Sequence, residues 1–282
     1  MIQQYEAQHT VALMCRVLTV SRSGYYGWRG RAPSNRAQAT AHLASAVRRV
    51  FAEHKGRAGA PRITKQLRAE GQTAGKHAVA RVMRSERLRA KAAKKYKATT
   101  NSNHSLPVAP NLLEQDFTAV VPNQKWVSDI TYIWTEEGWL YLAVVLDLYS
   151  RLVVGWAMAE RMTASLVCEA LTVALWRRKM PAGVFVHSDR GSQYCSADYQ
   201  RLLLKHRLLC SMSKRGDCYD NAAMESWNHS LKVEAIHGER FPTREAAKAQ
   251  VFEYIEVYYN RKRLHSTLGY LSPERFEARQ AA

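Results

Sequence analysis

The 282-residue chain carries 42 Lys+Arg against 24 Asp+Glu, a formal net charge of +18. With 46% hydrophobic and 10% aromatic residues, burial can offset ordering entropy, which excludes a wholly disordered chain. No apolar run reaches the roughly 18–20 residues needed to span a bilayer, and the polar MIQQYEAQHT start has no signal core, so neither membrane insertion nor secretion is expected. The five cysteines (Cys15, Cys168, Cys195, Cys210, Cys218) form an odd, scattered set without a C-x-x-C pair. That pattern fits reduced thiols better than a disulfide frame or a zinc site.

The charge is not spread evenly. Residues 1–100 hold 21 Lys+Arg and four acids, a net of +17, whereas residues 101–282 hold 21 and 20, a net of +1. A solubilising surface would extend along the whole chain. Confinement to one third points to a nucleic-acid-binding module on a near-neutral body.

In chain order, Val11, Met14, Val17 and Leu18 form a first small apolar cluster, followed by SRSGYYGWRGR. That aromatic and basic stretch reads either as a DNA-backbone contact or as a packed turn. Leu43, Val47, Val50 and Phe51 lie on one helical face, and the Gly56–Gly59 stretch interrupts it. Pro61 opens a second helix with Ile63 and Leu67 inward, and Gly71 stops it. Thr73 is placed to cap a third helix with Val79, Val82 and Met83 on its core face and Lys76, His77, Arg81 and Arg84 on its other sides. Three short helices with a Gly-containing turn before the last resemble a helix-turn-helix, whose last helix enters the major groove. KAAKKYKATTNSNHSLPVAPN (91–111) then loses hydrophobic period, and its Lys94 and Lys95 make it a basic linker able to lie along phosphates.

Strands begin at Trp126. WVSDITYIW, LYLAVVLDLY and LVVGWAM are joined by short turns and predict an antiparallel meander. A helix over 163–179, a strand VFVH (184–187), a helix around 196–206, a strand over 208–212 and a helix from about 221 follow. The order βββαβαβα predicts an α/β mixed five-stranded sheet that resembles a ribonuclease H-like fold, preceded by the all-α helix-turn-helix region. The segment 244–263 reads as one further amphipathic helix ending in Arg261, Lys262 and Arg263, which are placed to contact DNA or a second subunit.

Three acids occupy informative positions. Asp129 lies mid-strand on the face of Val127 and Thr131, where an ionised carboxylate is costly unless paired or metal-bound. Asp189 directly follows the VFVH strand, and Glu225 sits in the final core helix. In the fold expected, the first and fourth strands are neighbours and the last helix crosses their ends, so the three carboxylates converge. Such hard oxygen ligands suit two Mg²⁺, or Mn²⁺, rather than zinc. Lys232 lies two helical turns beyond Glu225 and is placed to hold a phosphate near the metals. His187, Asn221 and Asn228 are candidates to orient the ligands, although His187 reads as well as a satisfied core histidine. Asp147 reads as a turn cap or a further acid facing the metals, and Asp220 as an N-cap.

Together, the 35-residue last gap, Lys232, KWVSDITYI, HSDRGSQY, GDCYDNAAMESWNHSLK and YNRKRLHSTLGYLSPERFE resemble the second-frame product (OrfB) of bacterial insertion sequences of family three, within the D,D-35-E transposases related to retroviral integrases. The resemblance implies a DNA transposase in which Asp129, Asp189 and Glu225 bind two Mg²⁺ for 3′-end nicking and strand transfer. It implies double-stranded DNA partners, both terminal inverted repeats and target, and an assembly of at least two subunits. An upstream-frame product (OrfA) is implied as fusion or partner, with a cytoplasmic, nucleoid-associated location. The organisation expected is an N-terminal helical segment (1–35), a helix-turn-helix domain (36–92), a basic and polar linker (93–121), a catalytic core (122–236) and a C-terminal helical extension (237–282). Two other readings remain open at this point: a ribonuclease H-like or junction nuclease without strand transfer, and a non-catalytic DNA-binding regulator.

Overall fold

After one 3₁₀ turn the chain forms α1 (Val11–Val17), α2 (Arg22–Arg29) and α3 (Asn35–Glu53). Their starts are set by hydroxyl N-caps, Thr10, Ser21 and Ser34, each accepting the backbone N–H three residues on. The computed structural model describes residues 1–91, 107–214 and 218–280, so Lys94 and Lys95 lie outside the described residues. The first apolar cluster is corrected. Val11 and Met14 pack with Ile2, Cys15 and Tyr25, while Val17 and Leu18 are exposed. Val17 lies off the face shared by Val11, Met14 and Cys15, and Leu18 is already in the turn.

Helices α4 (Ala60–Ala69) and α5 (Lys76–Ser85) complete the basic region, with Pro61 in the first turn of α4. Gly71, at φ +82°, supplies the left-handed residue that ends α4. Thr73 does not cap α5; Gly75 occupies the N-cap without a side-chain bond. The core of this region is Val47, Val50, Ile63, Leu67 and Val79, all fully buried.

The sheet comprises β1 (Lys125–Thr135), β2 (Gly138–Asp147) and β3 (Val153–Ala159), then β4 (Phe185–Ser188) and β5 (Leu209–Met212) after α6 (Ala164–Arg177) and α7 (Ala197–Lys205). Its order is β3-β2-β1-β4-β5, antiparallel across β1–β2 and β2–β3, and parallel across β1–β4 and β4–β5. This is the ribonuclease H-like arrangement expected, including the neighbouring first and fourth strands. One face, with Trp126, Ala143 and Val145, packs on α6 and α7. At Gly155 the approach of α6 is so close that a Cβ would meet the Ala170 carbonyl at 2.3 Å.

The other face, with Val127, Val144 and Leu146, packs on α8 (Ala222–Leu231) and the C-terminal segment. There α8 passes into a π-type turn (Lys232–Ile236), and α9 (Arg244–Phe252) passes into another (Glu253–Tyr259), before α10 (Pro273–Gln280). The single helix expected over 244–263 is therefore interrupted at Glu253. The wider turn carries Tyr254, Ile255, Tyr258 and Tyr259, all buried.

The helical region docks on this C-terminal segment. Arg57 pairs with Glu253 at 2.9 Å and donates from Nε to the Glu234 carbonyl at 3.1 Å. Arg62 pairs with Glu234 at 3.0 Å, and His54 lies 3.3 Å from the Tyr258 hydroxyl. Within the segment expected as linker, Leu113 is buried in the sheet core, and the Leu112 N–H donates to Ser211 Oγ at 2.9 Å. That part packs against the α/β body through Leu113 and through hydrogen bonds to β5, where the Met212 N–H also donates to the Pro110 carbonyl at 3.3 Å.

Candidate active site

The β1–β4 register fixes the first two acids. Val127 pairs with His187 in parallel, so Asp129 and Asp189 each stand two residues beyond one register pair. Alternation turns Asp129 to the face of Val127, toward α8. Oδ1 of Asp129 accepts from the Ile130 N–H at 2.9 Å, and Oδ2 accepts from the Asn228 amide at 2.7 Å. Asp189 sits where β4 has ended, with Oδ1 accepting from the Gly191 N–H at 2.9 Å. Glu225 lies in the first turn of α8, exposed, one turn before Asn228.

The electrostatics follow from this placement. Burial pushes the Asp129 carboxyl up to about 8, and the neighbouring charges of Asp189 and then Glu225 add to the rise, against the lowering effect of Ile130 and Asn228. Asp129 thus senses both other acids. Among the described residues, no three His, Cys, Asp or Glu side chains already stand as a closed ligand set. The pair Asp129 and Asp189 is the nucleus, and Glu225 is its outlying third member. Oxygen donors of this type match a hard divalent cation, whose charge would relieve the repulsion that burial intensifies.

Several expectations are corrected. Lys232 is buried where α8 changes to its π-type turn; its Nζ bonds the Tyr132 carbonyl and lies 4.9 Å from that ring's centre. Burial pulls its pKa down to about 8. It is therefore not turned to solvent as a ready phosphate contact. Arg263 is also buried, gripped by Glu234 at 2.8 Å and lying 5.5 Å from the centre of the Tyr259 ring. Arg261 and Lys262 remain exposed, with Arg261 3.8 Å from Glu274.

His187 takes the core alternative, between Ser211 Oγ at 2.9 Å and Ser213 Oγ at 3.2 Å, and its pKa is lowered by burial to about 4. Asp147 does not face the acids. It is buried, accepts from the Asn123 and Tyr149 N–H groups, and pairs with Arg178 at 2.9 Å. Asp220 is not the cap of α8, since Asn221 holds that position. Asp220 instead accepts from Asn111, Gln115 and the Lys214 N–H. Asn221 reaches the Ser128 carbonyl at 3.5 Å, and its buried Oδ1 has no partner among the described residues.

Lys76, His77, Arg81 and Arg84 are all exposed on α5, opposite Val79, Val82 and Met83. Two participants escape sequence reasoning. Tyr194 lies fully buried under the acids, its hydroxyl 3.0 Å from Ser128 Oγ, with burial and both aspartates raising its pKa. Glu234 joins Arg62 to Arg263, linking the helical region to the C-terminal segment. Tyr194 closes the HSDRGSQY motif but its role, like that of Glu234, arises from long-range packing.

Residues 38–96 match an HTH-like domain, and residues 119–218 and 225–280 match two integrase core domains. The transposase InsF of insertion sequence IS3A from Escherichia coli K12 is 55% identical over 283 residues, covering 100% of this chain and 98% of that protein. The chain belongs to the IS3 family of insertion-sequence transposases. An uncharacterized 31 kDa protein of insertion element IS600 from Shigella sonnei is 47% identical over 263 residues, covering 93% and 97%. Among solved structures, a simian T-cell lymphotropic virus intasome chain aligns at 17% identity and TM-score 0.48, covering 76% of this chain and 70% of that one. The HTLV-2 integrase catalytic core, solved in complex with magnesium, aligns at 15% identity and TM-score 0.43, covering 57% and 99%. The protein is thus a DNA transposase, a polynucleotidyl transferase of the DDE class. No helix among its described residues is long and apolar enough to cross a membrane.

Proposed function

We propose that this transposase nicks the 3′ ends of its element and joins them to a second phosphodiester, using divalent metal held by Asp129, Asp189 and Glu225. The observation that carries this reading is the Asp129–Asp189 pair, in which burial and mutual repulsion disfavour two bare carboxylates. Two Mg²⁺ or Mn²⁺ ions, when bound, would activate the attacking oxygen and stabilise the leaving one. The protein's own contribution is positioning. The β1–β4 register sets the two aspartates side by side, and Asn228 holds one Asp129 oxygen so that the other end of the carboxylate keeps a fixed direction. Glu225 completes the set from α8, and Asn221 lends a polar edge beside β1.

The exposed Lys76, His77, Arg81 and Arg84 of α5 are the groups proposed to read the terminal repeats, with Arg261 and Lys262 as outer phosphate contacts. Assembly of at least two subunits brings two ends together, and an upstream-frame OrfA product would add further end recognition. The proposed division is 1–35, 36–92, 93–121, 122–236 and 237–282, with Leu113 of the third part and much of the last sharing the core of the fourth.

The test is incubation of the chain, alone and with the upstream-frame product, with labelled element ends and Mg²⁺. Nicked and joined strands are expected. Nicking without joining would replace strand transfer by simple nuclease activity, and neither product under both conditions would refute the catalytic reading.

A further inference from the structure

We infer that α1 and α2 form a second unit that binds duplex DNA, with α2 as the helix meeting the duplex. The inference rests on the chain being a DNA transposase, not on the role proposed for α5. The HTH-like match starts at residue 38 and leaves these helices outside it.

The turn between the helices has the length of a helix-turn-helix. Four residues, Leu18 to Ser21, separate α1 from α2, the length typical of that motif, whereas six separate α4 from α5. Thr19 takes the left-handed conformation at φ +53°, the Val20 N–H closes onto the Cys15 carbonyl at 3.0 Å, and Ser21 caps α2. Cys15 and Tyr25 seal the angle between the helices against Ile2.

The charged residues of the exposed surface, which also carries Leu13, Val17, Val20 and Trp28, favour a polyanion. Residues 1–31 contain four arginines and one acid, Glu6. Glu6 is turned onto α2, where it accepts from the Tyr25 hydroxyl at 2.5 Å and from Arg29 at 2.7 Å. The one negative charge is thus matched internally, and Arg22, the first residue of α2, and Arg31, just past its C-cap Gly30, stand exposed. Tyr26 lies one turn from Arg22 and is 49% exposed, offering a hydroxyl and a ring to a DNA backbone. A cation at the start of the second helix, an aromatic one turn on and a second cation just past its end match phosphates along a groove.

The experiment compares the full chain with Arg22→Ala/Arg31→Ala and, separately, Lys76→Ala/Arg81→Ala, on a labelled element end. It measures affinity against salt, hydroxyl-radical protection and sedimentation mass, with circular dichroism checking that each variant is folded. The Arg22/Arg31 variant is expected to lower the salt slope by about 2, roughly 0.9 per phosphate contact, and to lose one of two protected tracts. The Lys76/Arg81 variant is expected to lose the other tract. An Arg22/Arg31 variant with wild-type slope and footprint overturns the inference, and a change confined to sedimentation mass would assign the face to a second protein chain instead. A silent Lys76/Arg81 variant would refute the role of α5 and leave this inference standing.

Discussion

Asn228 donates its side-chain amide to Oδ2 of Asp129 at 2.7 Å, fastening the helix that carries Glu225 to the strand that carries the half-buried acid. The bond fixes both the carboxylate and the register of α8 over β1. Groups that orient metal ligands typically contribute about 10–100-fold in metal affinity or activity. Asn228→Ala is therefore expected to weaken Mn²⁺ binding by about that factor while the thermal midpoint changes little, because Asn228 is only half-buried. Unchanged Mn²⁺ affinity, read by calorimetry, would remove Asn228 from the site.

Glu234 holds the helical region to the C-terminal segment through Arg62 and Arg263. Burial acts to raise its pKa, but the hydrogen bonds and charges of Arg263, then of Arg62, outweigh it and leave the carboxyl below the ordinary glutamate value. The folded protein thus binds its proton less readily than the unfolded chain. The stabilisation is fully present above the ordinary glutamate pKa and is lost as pH falls through the lower, folded value. Glu234→Gln is expected to cost about 3 kcal/mol at neutral pH, since it leaves Arg263 buried without its counter-charge. The difference from wild type should shrink in acid, and chemical denaturation at neutral and acidic pH measures both effects.

Lys232 gives the opposite signature. Its pKa, lowered to about 8 by burial, means that between about 8 and the free lysine value the unfolded chain holds more protons than the folded one. Stability contributed at this site therefore rises with pH across that window. Wild type should gain stability relative to Lys232→Met as pH goes from about 8 to about 10. Parallel curves for the two proteins would show that Nζ is better solvated than its contacts with Tyr132 imply.

Gly155→Ala tests the sheet–helix contact. The added methyl would stand 2.3 Å from the Ala170 carbonyl and 2.6 Å from the Ala174 nitrogen, both backbone atoms of α6. Neither can swing aside, so α6 must shift, at an expected cost of about 2–3 kcal/mol. Denaturant unfolding measures it, and a neutral result would mean that α6 is not seated so tightly.

Much of this molecule is legible in local sequence because its decisive features are local. Alternation in KWVSDITYI turns Asp129 to the Val127 face, and the apolar run of β2 announces a strand covered on both sides. The charge split isolates the helical region, and the exposed basic residues of α5 follow from its period. What local pattern misses depends on distant partners. Arg263 looks like the end of a basic run until Glu234, 29 residues away, draws it inside. Lys232 does sit two turns from Glu225, since the helix stays α through Leu231, but the Tyr132 carbonyl, 100 residues away, draws its Nζ inside. Asp220 suits an N-cap by type, yet Asn111, more than a hundred residues upstream, claims it.

The claim on which the account turns is that Asp129, Asp189 and Glu225 together hold the divalent metal that serves DNA cleavage. Mn²⁺ binding to the DNA-bound full chain, followed by electron paramagnetic resonance, tests it most directly for wild type and Asp189→Asn. The account predicts that Asp189→Asn loses at least about tenfold in Mn²⁺ affinity while retaining wild-type affinity for the element end. Equal Mn²⁺ binding by the two proteins would contradict it.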